Sequence, residues 1–206
     1  MKKKIRARII NLGFNNIFSL EKALTNIGYT TIITELKSQN FKNDDILFIP
    51  GVGNFHYAMK MLNQYNIKDQ IYEFCYIKKR PIIGICLGMQ LLFQKSTETK
   101  ITNGLSLLEG SVDSIPKNLR PNIGWLKIKN KSKKFMNKYN KDHFYFVHSY
   151  HCRPKNKNII LTESSINDFN FCSSVHYKNI FATQFHPEKS GKKGINLLNT
   201  INKLYF

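Results

Sequence analysis

The chain has 206 residues, of which 42% are hydrophobic and 15 are phenylalanine, and its formal net charge is +19. That length and apolar content suit a folded domain with a full core, which excludes a disordered chain and a fold that needs disulfide or metal staples, and no apolar run is long enough to span a bilayer. The charge invites a nucleic-acid role, but the excess lysine comes with abundant asparagine and isoleucine over the whole chain, as AT-rich codons would produce, and Lys127–Lys141 lacks the regular aromatic interleaving of a single-strand binder, so no nucleic-acid partner is expected.

The basic start, Met1–Lys4, is like the n-region of a signal peptide. Arg6, Arg8 and Asn11 interrupt the apolar run after it and no small-residue cleavage site appears, so a cytoplasmic chain is expected. Arg8–Asn11 reads as a strand; Ile17, Leu20, Leu24 and Ile27 then recur at helical spacing until Gly28 stops the helix. Tyr29–Thr34 is β-branched and strand-like, and Ile46–Ile49 is a short strand of buried type closed by Pro50-Gly51. Ile67, Ile71 and Phe74 share a helical face, and Ile82–Ile85 makes a fourth strand. This alternation predicts an α/β fold, an open, mixed, mostly parallel sheet with helices on both faces, whose ligands bind beyond the C-terminal strand ends. The second half has more β character, in Ser111–Ile115, Leu126–Ile128, Phe144–Val147, Asn158–Thr162, Phe171–Val175 and Phe181–Phe185, with antiparallel pairs expected among them. Ile195, Leu198 and Ile201 return to helical register, and with no repeat or linker dividing the chain, residues 1–206 read as a single domain.

Four cysteines, Cys75, Cys86, Cys152 and Cys172, show neither CxxC pairing nor metal-ligand spacing, so no metal site is expected and free thiols suit a reducing compartment. Cys86 stands out because Gly84-Ile85-Cys86-Leu87-Gly88 has the small-x-nucleophile-x-small form of a nucleophile elbow, where small residues let a strand turn sharply into a helix and present a side chain above the sheet. Amides at that turn favour a thiolate and can stabilise an oxyanion, although by itself the segment favours a buried structural cysteine. Gln184-Phe185-His186-Pro187-Glu188 can supply a base and the carboxylate that fixes its tautomer, or be a turn with Glu188 in solvent. Pro50-Gly51-Val52-Gly53-Asn54 leaves a neighbouring strand end with amides that can face an oxyanion, or is only a turn; no GxGxxG follows to make it a dinucleotide site.

Taken in order, "PGVGNF" at Pro50, "GICLGMQLLF" at Gly84, "GWLKI" at Gly124, "YFVHSY" at Tyr145 and "QFHPEKSG" at Gln184 resemble the class I (triad-type) glutamine amidotransferases, and within them the branch whose glutaminase serves histidine biosynthesis. The resemblance implies a flavodoxin-like fold and a glutaminase in which Cys86 attacks the side-chain amide of L-glutamine, His186 acts as base and then acid, and Glu188 orients His186. It also implies an oxyanion hole from Leu87 and the Gly51, Val52, Gly53 loop, and glutamine contacts from Gln90, Glu98 and the His148, Ser149, Tyr150 segment. No cofactor or metal is implied. The partner would be a (β/α)8-barrel cyclase subunit in a heterodimer, faced by Trp125 and Lys189, with a buried core position as the other reading of Trp125. The chain departs from the family at Asn11–Asn16, at Pro121-Asn122-Ile123-Gly124-Trp125-Leu126 in place of "PHMGWN", and in the lysine-rich stretch Lys129–Asp142. Those departures keep a second acceptor open, a paralogous synthase such as one amidating a surface-polysaccharide sugar.

Overall fold

The computed structural model describes residues 5–13, 17–34, 41, 44–131 and 135–206. In chain order the elements are β1 (Arg6–Ile10), α1 (Ile17–Asn26), β2 (Thr30–Thr34), β3 (Ile46–Ile49), α2 (Phe55–Gln64), α3 (Ile67–Tyr72, continued by a π-helical turn Glu73–Ile77), β4 (Ile82–Ile85), α4 (Leu87–Leu91) and β5 (Phe93–Ser96). Then follow β6 (Thr102–Asn103), β7 (Leu108–Ser114), β8 (Asn122–Lys127), β9 (Lys129–Asn130), β10 (His143–His148), β11 (Tyr150–Pro154), β12 (Ile160–Ile166), β13 (Phe169–Tyr177), β14 (Ile180–Thr183) and α5 (Gly191–Tyr205).

The main sheet has the order β2-β1-β3-β4-β14-β13-β12-β9. Its first five strands pair in parallel, and β13, β12 and β9 continue it antiparallel, which gives the mixed, mostly parallel sheet expected. β10 and β8 form a separate antiparallel ribbon, and β11, β7, β5 and β6 a third small sheet. Helices cover both faces of the main sheet because its central strands are apolar on both. In β3, Ile46 and Phe48 pack with α1 and α5, whereas Leu47 and Ile49 pack with α2 and α3, the alternation a pleated strand imposes. The four cysteines are free and buried. No helix among the described residues is long and apolar enough to cross a membrane.

β3 and β4 occupy the residues expected of them, and α1, β2 and α5 lie within a few residues of their expected bounds. The sequence reading did not place α2, whose buried Phe55, Ala58, Met59 and Leu62 directly follow the Pro50–Asn54 loop, nor β5, β6, β9 and β11. The basic start Met1–Lys4, residues 14–16 of the divergent Asn11–Asn16 run and residues 132–134 of the lysine-rich stretch lie outside the described residues.

The topology brings three C-terminal strand ends together. β3, β4 and β14 are adjacent and parallel, with Ile49 opposite Gly84 and Ile85 opposite Thr183. Pro50-Gly51, Cys86 and Gln184–Glu188 therefore leave the sheet side by side.

Candidate active site

Cys86 follows β4 directly and has φ 54° and ψ −109°, a left-handed conformation that costs a residue with a Cβ about 1–3 kcal/mol. The flanking glycines explain how the turn closes. A Cβ on Gly88 would overlap the carbonyl oxygen of Ile49, and one on Gly84 would lie 2.9 Å from Gly88 O, so neither position has room for a side chain. The strand-to-helix turn is thus a strained elbow with the cysteine at its tip, one of the two readings the pentapeptide allowed. α4 is only five residues long, so the elbow's local amides matter more than a helix dipole.

His186 is delivered by the turn after β14. Its backbone N–H donates to Tyr145 O at 2.9 Å, and its carbonyl accepts from Ser190 Oγ at 2.6 Å. Ser190 Oγ also accepts from the backbone N–H of Tyr145 at 3.0 Å, so one hydroxyl fastens the turn to β10. The imidazole Nδ1 lies 2.7 Å from Glu188 Oε1, with both side chains buried. Because a carboxylate only accepts, Nδ1 carries the proton and Nε2 is left facing the elbow. Nε2 is buried with no hydrogen-bond partner among the described residues. Burial opposes a charge on the ring, but once Cys86 is a thiolate its charge and the Glu188 carboxylate outweigh it and push the His186 pKa up to about 10, so the ring keeps the proton it takes from the thiol. In the resting site the neutral thiol donates to Val147 O at 3.6 Å and makes no hydrogen bond to His186.

The amide of Leu87, one expected oxyanion donor, is already engaged, donating to Gly51 O at 3.2 Å. A Cβ on Gly51 would come 2.9 Å from Leu87 Cβ, so only a glycine lets that carbonyl approach. Gln90, buried on α4, donates through Nε2 to Tyr150 O at 3.0 Å and to Gln184 Oε1 at 3.1 Å. Glu98 accepts from the backbone N–H of Phe55 at 2.6 Å, which caps α2, and burial raises its carboxyl pKa above the ordinary range. The Tyr150 hydroxyl donates to Glu98 O at 3.3 Å, so Gln90, Tyr150 and Glu98 line one side of the elbow.

His148 and Ser149 contribute differently. His148 Nδ1 donates to Tyr150 O at 2.8 Å, so its Nε2 accepts from Asn122 Nδ2 at 2.9 Å, and both ring nitrogens are spent inside the protein. Ser149 meets Ile115 N–H through its carbonyl at 3.0 Å. Val52 and Gly53 sit at the rim, Gly53 with φ 110°, and Lys189 is half-buried beside the triad turn. Trp125 is 52% exposed, so it is a surface residue and not a core aromatic. It stacks edge-on against Tyr145 at 6.0 Å, and with Ile123 and Val147 it makes the outer face of the β8–β10 ribbon. The carbonyls of Tyr145 and Val147 in that ribbon are those that touch His186 and Cys86. Gln184 and Ser190 were not singled out from sequence, although both lie in the "QFHPEKSG" run whose His and Glu were. No cluster of potential metal ligands occurs among the described residues.

The family model for glutamine amidotransferase class-I matches residues 8–201. The imidazole glycerol phosphate synthase subunit HisH of Pyrococcus furiosus is 42% identical over 97% of this chain and 99% of its own, and the HisH subunit of Aquifex aeolicus is 38% identical over 97% of each. Among solved structures, one described as a glutamine amidotransferase superposes with a TM-score of 0.77 over 97% of this chain and 98% of its own, and PurLQS from Thermotoga maritima with 0.76 over 98% and 99%. Both are 17% identical, which speaks for the fold alone. Match and geometry agree: the chain belongs to the class-I glutamine amidotransferases, in the branch of the HisH subunits of imidazole glycerol phosphate synthase.

Proposed function

We propose that this chain, acting as one domain, is the glutamine-hydrolysing subunit of a cytoplasmic imidazole glycerol phosphate synthase. The observation that carries the chemistry is the strained Cys86 elbow set beside the buried His186–Glu188 pair. Cys86 loses its proton to His186 Nε2 and attacks the side-chain amide carbon of glutamine. His186, held by Glu188, returns the proton to the leaving nitrogen, which departs as ammonia. Water then hydrolyses the γ-glutamyl thioester, releasing glutamate and restoring the thiol. Gln90, Glu98 and the His148–Tyr150 segment hold the substrate, the segment by its backbone and by Ser149 and Tyr150, since the His148 ring is taken up by Asn122 and Tyr150 O.

The oxyanion needs donors where Gly51 O now sits. Turning the Gly51–Val52 peptide would withdraw that carbonyl, free the Leu87 amide and bring the Val52 amide in its place. Cys86 is also only 4% exposed, so the site must open before glutamine reaches the sulfur. The arrangement is that of a glutaminase idle on its own.

We place the (β/α)8-barrel cyclase subunit on the outer face of the β8–β10 ribbon, where Ile123 and Trp125 are 61% and 52% exposed, with Lys189 at its edge. Docking there bears on β10, whose carbonyls touch both catalytic residues. Ammonia delivered in the complex reacts before it is protonated, and the barrel combines it with a ribulosyl-phosphoribosyl aminoimidazole carboxamide to give imidazole glycerol phosphate and aminoimidazole carboxamide ribotide. The test is glutamate release by the wild-type chain and by Cys86→Ser, each with a barrel cyclase. Wild-type turnover that rises at least tenfold with the cyclase and vanishes in the variant supports the reading; turnover retained by Cys86→Ser refutes it.

A further inference from the structure

One buried polar side chain at the site has no part in the chemistry above. Gln184 is 0% exposed and stands between Gln90 and Cys86, immediately after β14. Its orientation follows from hydrogen-bonding capacity alone. Tyr150 O is a backbone carbonyl and can only accept, so Gln90 must turn its Nε2 toward it, at 3.0 Å. The same Nε2 lies 3.1 Å from the Gln184 amide, and two donors cannot face each other, so Gln184 presents Oε1 there. Its Nε2 is thereby aimed at Cys86, 3.6 Å from Sγ. A carbonyl 60 residues from Gln90 in sequence thus sets which end of Gln184 meets the nucleophile.

We propose that Gln184 is a positioning residue, whose Nε2–H holds the Cys86 sulfur at the elbow and steadies it as its proton leaves. The proposal rests on the reading of Cys86 as the nucleophile. Two groups compete for the sulfur. Val147 O accepts the thiol proton at 3.6 Å and so favours the neutral form, and once that proton is gone the same carbonyl faces an anion. Gln184 Nε2 is a donor and favours the thiolate, in a place where water is excluded and a single N–H counts for more than in solvent. An amide serves better than a lysine or arginine would, since a full charge at a 0% exposed position costs more in desolvation than the contact returns. The Gln90 link keeps the donor from rotating away, which ties the nucleophile to the strand that carries Tyr150.

The experiment follows alkylation of Cys86 by iodoacetamide against pH in the full chain, read peptide by peptide by mass spectrometry, with melting temperatures alongside. Gln184→Met keeps the length and removes the donor; Gln184→Glu keeps the shape and sets a carboxylate against the sulfur. Both leave in place the other titratable groups near Cys86, namely His186, Glu188 and Cys152. The expected result is alkylation near neutral pH slowed about tenfold in Gln184→Met and further in Gln184→Glu, with both midpoints displaced upward. A space-filling role would lower the melting temperature and leave the alkylation profile where it is, and that result overturns the proposal. Should neither variant fold, the side-chain 15N–1H resonances of Gln184 decide the matter: they move between wild type and Cys86→Ser if Nε2–H meets the sulfur, and hold still if it does not. The two readings fail separately. A wild-type Cys86 that glutamine plus the cyclase never protects from alkylation argues against the glutaminase, whereas a protected Cys86 indifferent to Gln184 argues against this inference alone.

Discussion

Acidification should destabilise this protein through His148 in a calculable way. The ring is enclosed, Nδ1 donating to Tyr150 O and Nε2 accepting from Asn122, so a second proton would have to displace the Asn122 amide. Burial holds the pKa down at about 4 from an ordinary 6.5, the Tyr150 carbonyl opposing and His151 and His186 assisting. Unfolded, the side chain takes a proton as the pH falls through 6.5, whereas the folded protein refuses it until about 4. Stability is therefore intact above the upper value, declines through the window, and has lost its full increment at the lower one. At about 1.4 kcal/mol per pH unit, that increment is about 3–4 kcal/mol, a sizeable share of a domain's usual margin. Urea unfolding across the window measures it, with His148→Gln as reference, since a glutamine amide can donate to Tyr150 O and accept from Asn122 without titrating. His151, which burial also depresses, is common to both proteins and cancels. The wild type should lose about 3–4 kcal/mol more than the variant. Parallel curves would refute the enclosed neutral ring.

Three further outcomes follow from the geometry. Gly88→Ala drives a Cβ into Ile49 O and should cost about 3 kcal/mol, or roughly 10 °C in melting temperature, where an unchanged melting curve would mean that the elbow is not closed against β3. Trp125→Ala should weaken cyclase binding by roughly 2 kcal/mol, about 30-fold by titration calorimetry, and leave the melting temperature unaltered because the ring is half in solvent. Lys127, Lys129, Lys131 and Lys141 are exposed around that face, and its acids Asp142 and Glu163 already pair with Lys193 and Lys131, so association should slow roughly tenfold as salt is raised; a salt-independent rate would place docking elsewhere.

What could be read in advance was what rests on local pattern. β3 and β4 were legible because strands buried on both faces must be continuous apolar runs, and the elbow because tight turning demands glycine on both sides of Cys86. α2 escaped because Phe55, Ala58, Met59 and Leu62 start straight after a loop of turn residues, with no break to mark the change of period. β5 escaped because it follows α4 with a single residue between them, and β11 because Arg153 and Pro154 make it read as a loop. At the site, a motif could name Cys86, His186 and Glu188 but not their present state. That Leu87 N–H is occupied by Gly51 O, or that Gln184 meets residues 94 and 98 positions away, depends on which strand ends the sheet sets side by side. The same holds for His148: the resemblance could set the His148–Tyr150 segment beside the substrate, but not that Asn122, across the ribbon, takes up its ring.

The β8–β10 ribbon also bears on how the subunit behaves before it meets anything. Ile123 and Trp125 present a sticky surface, and two free copies brought together there would bury it against itself. A charge of +19 on each copy makes that encounter repulsive at long range. The lysine excess, whatever codon bias produced it, thus acts as a colloidal stabiliser, keeping orphaned subunits apart in dilute buffer. Concentrated stocks should stay clear at low salt and turn turbid as counterions screen the repulsion.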